Sequence, residues 1–152
     1  MSYLIILIVV VLAISPIFQF LPSPRQKLIV RLRETAFKNG LYVECCKDAD
    51  LELVKESEFF DGRELMFYGL RRSGGKTPLV DSMSWVRDRN GWCGDSISID
   101  LSETLEKLPR NVIAVKIDST TCGVFWTENG SENDVCDIAN LLRVFKEDSD
   151  RF

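Results

Sequence analysis

The chain has 152 residues, 45% hydrophobic and 28% charged, with 19 basic and 23 acidic side chains and a formal net charge of −4. That length admits one folded domain and an appendage. There is no histidine, which excludes Ser-His-Asp and Cys-His catalysis, an HExxH zinc protease site, a Cys2His2 finger and an imidazole haem ligand.

The average composition conceals an asymmetry, because the first 24 residues carry no charged side chain. From Tyr3 to Leu21 only Ser15, Pro16 and Gln19 interrupt an apolar run. About 19 helical residues span roughly 28 Å, close to the hydrocarbon thickness of a bilayer. Residues 1–22 are therefore predicted to form an N-terminal transmembrane helix. A basic n-region and a small-x-small site are both missing, so an uncleaved anchor is expected. Arg25, Lys27, Arg31, Arg33 and Lys38 follow the run, opposed only by Glu34. The positive-inside rule then predicts an external N-terminus and a cytoplasmic C-terminal domain.

Ser23-Pro24-Arg25-Gln26 has the form of a capping box with proline at the first helical position. It opens a basic, membrane-proximal amphipathic helix over residues 23–40, stopped by Gly40. Leu28, Ile29, Leu32, Ala36 and Phe37 form its apolar stripe. Arg25, Lys27, Arg31, Arg33 and Lys38 lie off that stripe and are the candidate contact residues for anionic headgroups or for a partner protein.

Residues 41–152 are predicted to form an α+β domain with a mainly antiparallel sheet and two or three helices. Residues 41–45 read as a strand. Residues 47–62 are acidic and irregular, and their carboxylates (Asp48, Asp50, Glu52, Glu56, Glu58 and Asp61) fit no EF-hand spacing and read as a solvated face. Residues 63–71 and 79–87 read as strands joined by a hairpin at Ser73–Pro78, and Asn90-Gly91 as a tight turn into a strand over 92–99, completing a three-strand meander. A short helix starts at Asp100–Glu103 and ends before Pro109. Residues 111–118 and 122–127 form a second hairpin, and Ser131 with Asp134 caps a C-terminal helix. The helices are expected on one face of the sheet.

Several motifs invite a chemical reading. Gly74-Gly75-Lys76-Thr77 resembles the end of a phosphate-binding loop, but the first glycine is misplaced and Pro78 stops the helix that must follow. Trp92-Cys93-Gly94-Asp95-Ser96 resembles a thioredoxin motif with its second cysteine replaced, making Cys93 a candidate redox thiol. The alternation of residues 96–99 favours a strand there rather than the helix N-terminus that would activate it. The five cysteines (Cys45, Cys46, Cys93, Cys122, Cys136) are odd in number and form no CxxC pair, and are expected to be small buried hydrophobes. Trp85, Trp92 and Trp126 are expected to pack in the sheet. Asn129-Gly130-Ser131 matches a glycosylation sequon, which a tight turn and N-cap explain. From Arg25 to Asn39 five cations face one carboxylate (+4). From Gly40 to Phe152 fourteen cations face twenty-two carboxylates (−8). Such an acidic domain would repel a nucleic-acid backbone.

Phe20-Leu21-Pro22-Ser23-Pro24-Arg25-Gln26-Lys27-Leu28 after the apolar run, Gly40-Leu41-Tyr42-Val43 at the end of the basic helix, and the later tryptophan-bearing strands resemble a set of small proteobacterial inner-membrane proteins. Some of these carry the label of YajC-type accessory subunits of the Sec preprotein translocase. The likeness to YajC proteins covers roughly the first quarter of the chain, and their Gly-Asp-x-Val-x-Thr-x-Gly-Gly strand motif is absent. The resemblance implies a single-pass protein of the bacterial inner membrane. The sequence as a whole predicts a membrane-anchored, non-enzymatic interaction protein without cofactor or metal. Its expected partners are the lipid bilayer and other inner-membrane proteins, with no nucleic acid and no small-molecule substrate. A translocase accessory role and a monothiol redox role for Cys93 are the alternatives.

Overall fold

In the computed structural model of the chain the described residues are 2–19, 22–46, 48–55, 57, 59–60, 62, 64–72, 82–94 and 102–149. They fall into two units, Met1–Val30 and Arg31–Phe152. The first unit holds helix α1 (Ser2–Gln19) and the start of α2 (Pro24–Lys38). The capping box forms as expected: Ser23 N donates to Gln26 Oε1 at 2.9 Å and Gln26 N donates to Ser23 Oγ at 3.2 Å.

The expectation of a transmembrane helix is corrected here. Among the described residues no helix is long and apolar enough to cross a membrane. The described side chains of the predicted span run from Tyr3 to Val11, all exposed. The side chains of the rest of the run, from Leu12 to Leu21, lie outside the described residues. The single-pass membrane assignment rested on that helix and is withdrawn with it.

In the second unit, α2 ends where Gly40 takes a left-handed conformation (φ +79°) and Leu41 N closes back on Ala36 O at 3.0 Å, the stop that only glycine accepts cheaply. There follow β1 (Tyr42–Cys45), α3 (Asp48–Lys55), β2 (Met66–Arg71), β3 (Met83–Asp88), β4 (Gly91–Gly94), α4 (Ser102–Glu106), β5 (Val112–Ile117), β6 (Thr121–Trp126) and α5 (Glu132–Ser149). The six strands form one sheet in the order β1-β2-β6-β5-β3-β4, every neighbouring pair antiparallel. The α+β reading of this part therefore holds.

The strand order departs from the expected meander. β2 and β3 do not pair; the β5–β6 hairpin lies between them. Burial explains the insertion. Val112–Ile117 and Thr121–Trp126 are buried at nearly every position, so both their faces need cover and they belong at the centre. Residues 83–88 are mostly half-exposed and sit one strand from the edge. The β3–β4 turn is also one residue earlier than expected: Asp88 pairs with Gly91, leaving Arg89-Asn90 as the two-residue loop. The predicted Ser73–Pro78 loop and residues 95–99 lie outside the described residues.

Strand alternation divides the core in two. Met66, Tyr68, Val115, Ile117, Val124 and Trp126 point to one face, where they meet Leu32 and Ala36 of α2, Leu105 of α4, and Val135, Ile138, Leu142 and Phe145 of α5. Phe67 and Phe125 point to the other face and join Val54 of α3. A bulge at Val112–Ala114 puts both Ile113 and Ala114 on this second face. The helices are thus not confined to one face. Residues 48–55, expected to be irregular, are a helix because Val54 can be buried completely while Glu52 and Lys55 stay in water. Ser57, just beyond, is buried and its hydroxyl donates to Arg87 O at 2.8 Å, which ties the end of this segment to β3.

Candidate functional site

On the second face the sheet carries two glycines in mid-strand, where glycine weakens a strand unless something must come close. Gly69 of β2 pairs with Gly123 of β6. Tyr42 of β1 and Lys116 of β5 continue the same cross-strand row on either side. A Cβ at either glycine would collide with the Phe67 ring, and at Gly69 also with Tyr42 Cζ at 2.6 Å. The glycines therefore let these rings lie down on the backbone. Tyr42 and Phe67 have centroids 5.9 Å apart and Phe67 and Phe125 4.8 Å apart, both pairs tilted. The result is an aromatic floor beneath a cleft of about 310 Å³.

The rim of the cleft is charged with both signs: Glu44, Asp50 and Asp118 against Arg71 and Lys116. The Arg71 guanidinium stands 5.8 Å from the Tyr42 ring centroid, a cation–π distance. Burial raises the Tyr42 pKa, so its hydroxyl stays protonated as a donor. Lys116 Nζ pairs with Asp50 Oδ1 at 2.6 Å, joining β5 to α3. In the β5–β6 turn Asp118 accepts four hydrogen bonds. Thr120 N and Thr121 N donate to Oδ1 at 2.7 Å each, Thr120 Oγ1 to Oδ1 at 2.8 Å and Thr121 Oγ1 to Oδ2 at 2.8 Å. Partial burial pushes the Asp118 pKa up, but these bonds outweigh it and the net shift is downward. Asp118 is thus a fixed anion at neutral pH rather than a proton donor.

The sequence-predicted residues lie elsewhere. Arg25, Lys27, Arg31 and Lys38 are exposed along α2. Arg33 alone turns inward: Nε donates to Glu128 Oε1 and Nη2 to Glu128 Oε2, both at 2.7 Å. The fully buried Tyr68 donates its hydroxyl to the same carboxylate at 2.8 Å. The guanidinium's bond to Glu128 raises the Arg33 pKa, and burial together with the hydroxyl's own bond to Glu128 raises that of Tyr68. Glu128 itself sits at φ +51°, a conformation that costs an ordinary residue about 1 kcal/mol or more. The triad is a structural clamp between α2 and the sheet. Cys93 is exposed in β4, opposite Val86, and not at a helix N-terminus. The expectation of uniformly buried cysteines is corrected: Cys122 is buried, Cys45 and Cys93 are exposed. Among the described residues no three His, Cys, Asp or Glu side chains are placed to hold a metal. Tyr42, Arg71, Lys116 and Asp118 were not signalled by any motif; the isolated glycines at 69 and 123 were the available clue.

No family model and no curated protein matches this chain. Among solved structures, the crystal structure of the mycobacterial trehalose monomycolate transport factor A, TtfA, is similar over 79% of this chain and 93% of that one, at 10% identity and a TM-score of 0.45. A likeness of that degree carries no inference to this chain.

Proposed function

We propose that this chain is a non-enzymatic interaction module that docks a peptide segment of a partner protein in the aromatic-floored cleft. The observation that carries this reading is the state of the cleft's polar groups. Lys116 is held by Asp50 and Asp118 by four donors, so the charges are fixed as a surface pattern and not poised as an acid–base pair. A rim of mixed sign around π faces suits a polar peptide with a side chain to lay on the floor. It does not suit a polyanion. Placing a photocrosslinking residue at Thr121 in the intact protein, with Lys107 as control, tests this. A protein captured from Thr121 and not Lys107 must, once purified, bind the wild type and lose at least tenfold in affinity to Arg71→Glu of unchanged urea midpoint. Capture that is equal from both positions, or affinity indifferent to Arg71→Glu, contradicts the proposal.

A further inference from the structure

A second cleft, of about 400 Å³, lies beside the β3–β4 hairpin and is lined by three arginines (Arg87, Arg89 and Arg110), two carboxylates (Asp88 and Glu106) and apolar surface from Phe59, Trp92 and Leu108. Arg87 leaves β3 with its guanidinium 4.5 Å from the Trp92 ring centroid. Its Nη1 donates to Pro109 O at 2.9 Å and its Nη2 to Leu108 O at 3.2 Å. The plane is therefore fixed from below by an indole and at one edge by two carbonyls just beyond α4. Carbonyls orient a guanidinium but do not neutralise it. Neither Arg87 nor Arg110 forms an ion pair with a described residue. The two cations are close enough that, after burial, the Arg110 charge is a cause lowering the Arg87 pKa. Phe59 is 49% exposed and Trp92 half-buried at the same opening.

Two guanidinium groups that form no ion pair with a described residue, beside exposed aromatic surface, stand out within residues 40–152, whose net charge is −8. Like charges held together repel each other, and an anion between them relieves that repulsion. Guanidinium groups match carboxylates in planar, charge-assisted hydrogen bonds. We propose that this cleft binds an acidic peptide segment of a partner protein, its carboxylate taken by Arg87 and Arg110 and a neighbouring apolar side chain seated against Phe59 and Trp92. A carboxylate is favoured over a doubly charged phosphate because Asp88 and Glu106 share the lining with the three arginines. A polyanionic surface is disfavoured by the domain's overall charge. The aromatic wall requires an apolar neighbour, which a peptide supplies. This site is separate from the first cleft.

The test is selection of peptides from a random display library on the full chain, followed by anisotropy titration of the selected peptide with a fluorescent label. The expected selection is Asp or Glu next to a large apolar residue. Arg110→Glu, at an exposed position that forms no ion pair with a described residue, is expected to weaken binding at least tenfold, as is replacing the peptide's carboxylates by amides. Arg87→Lys, which keeps the charge but loses the fixed plane, is expected to weaken it less. Arg71→Glu in the first cleft is expected to leave this affinity unchanged, so the two sites fail or stand separately. A selection without acidic preference, equal affinity for Arg110→Glu, or displacement of the peptide by inorganic phosphate at concentrations where acetate has no effect would each overturn the proposal.

Discussion

At Glu128 a single atom exchange tests the clamp between α2 and the sheet directly. Glu128→Gln keeps the shape and an oxygen for the Tyr68 hydroxyl but removes the charge that receives two bonds from Arg33. Hydrogen bonds to charged groups contribute about 1.5–3 kcal/mol each. The Arg33 side chain is 39% exposed, so water recovers part of that share and the expected loss is about 2 kcal/mol in total. At about 3–5 °C per kcal/mol for a unit of this size, the melting temperature falls by roughly 6–10 °C. Glu128→Ala also orphans the buried Tyr68 hydroxyl and adds about 1–3 kcal/mol. Glu128→Gly suffers the same losses but relieves the positive φ, and is expected to be about 1 kcal/mol milder than the alanine variant. Tyr68→Phe removes one bond and costs about 1 kcal/mol. Urea unfolding of the four variants by circular dichroism measures the series. A Glu128→Gln protein within about 0.5 kcal/mol of wild type, or a Tyr68→Phe protein less stable than Glu128→Ala, refutes the clamp.

Three further outcomes follow from the site. Gly123→Ala forces a Cβ into the Phe67 ring and to 2.8 Å from Tyr68 O; because backbone must move, a loss of about 1–3 kcal/mol is expected, read as a lowered urea midpoint. Asp118 has its folded pKa held below the unfolded value near 3.9. Its contribution is therefore full above about pH 4 and is lost as pH falls through the folded pKa, so the urea-midpoint difference between wild type and Asp118→Asn should be present at pH 7 and vanish in acid. Burial pushes the Cys122 thiol up to about 12; alkylation of native protein, located by mass spectrometry, is expected to label Cys45 and Cys93 and reach Cys122 only on unfolding.

Local signals in the sequence read well where a short-range bond decides the outcome. The Ser23–Gln26 and Ser131–Asp134 capping boxes form as their spacing predicts, and the strands at 112–117 and 121–126 stand within a residue or so of expectation. What failed was non-local. Adjacency in sequence suggested that the strands expected at 63–71 and 79–87 pair as a hairpin, yet the apolar β5–β6 hairpin occupies the place between β2 and β3, because burial on both faces outweighs proximity along the chain. The predicted span is likewise not borne out: among the described residues no helix is long and apolar enough to cross a membrane. Arg33 looked like one of five equivalent basic residues, and its role depends on Glu128, ninety-five positions away. The clefts are assembled from strands that meet only in the sheet, so Tyr42, Arg71 and Lys116 carry no shared spacing. Gly69 and Gly123 alone hinted that rings lie on the backbone there.

The most direct test of a docking role for the first cleft is a nuclear magnetic resonance titration of the isotopically labelled chain with the partner captured at Thr121. Glycine amides resolve well, and Gly69 and Gly123 lie in the same cross-strand row. The expected result is saturable shifts at Tyr42, Gly69, Arg71, Thr121 and Gly123, with the outer residues of α5 unmoved. Shifts centred on α5, or spread without saturation over the whole surface, would contradict it.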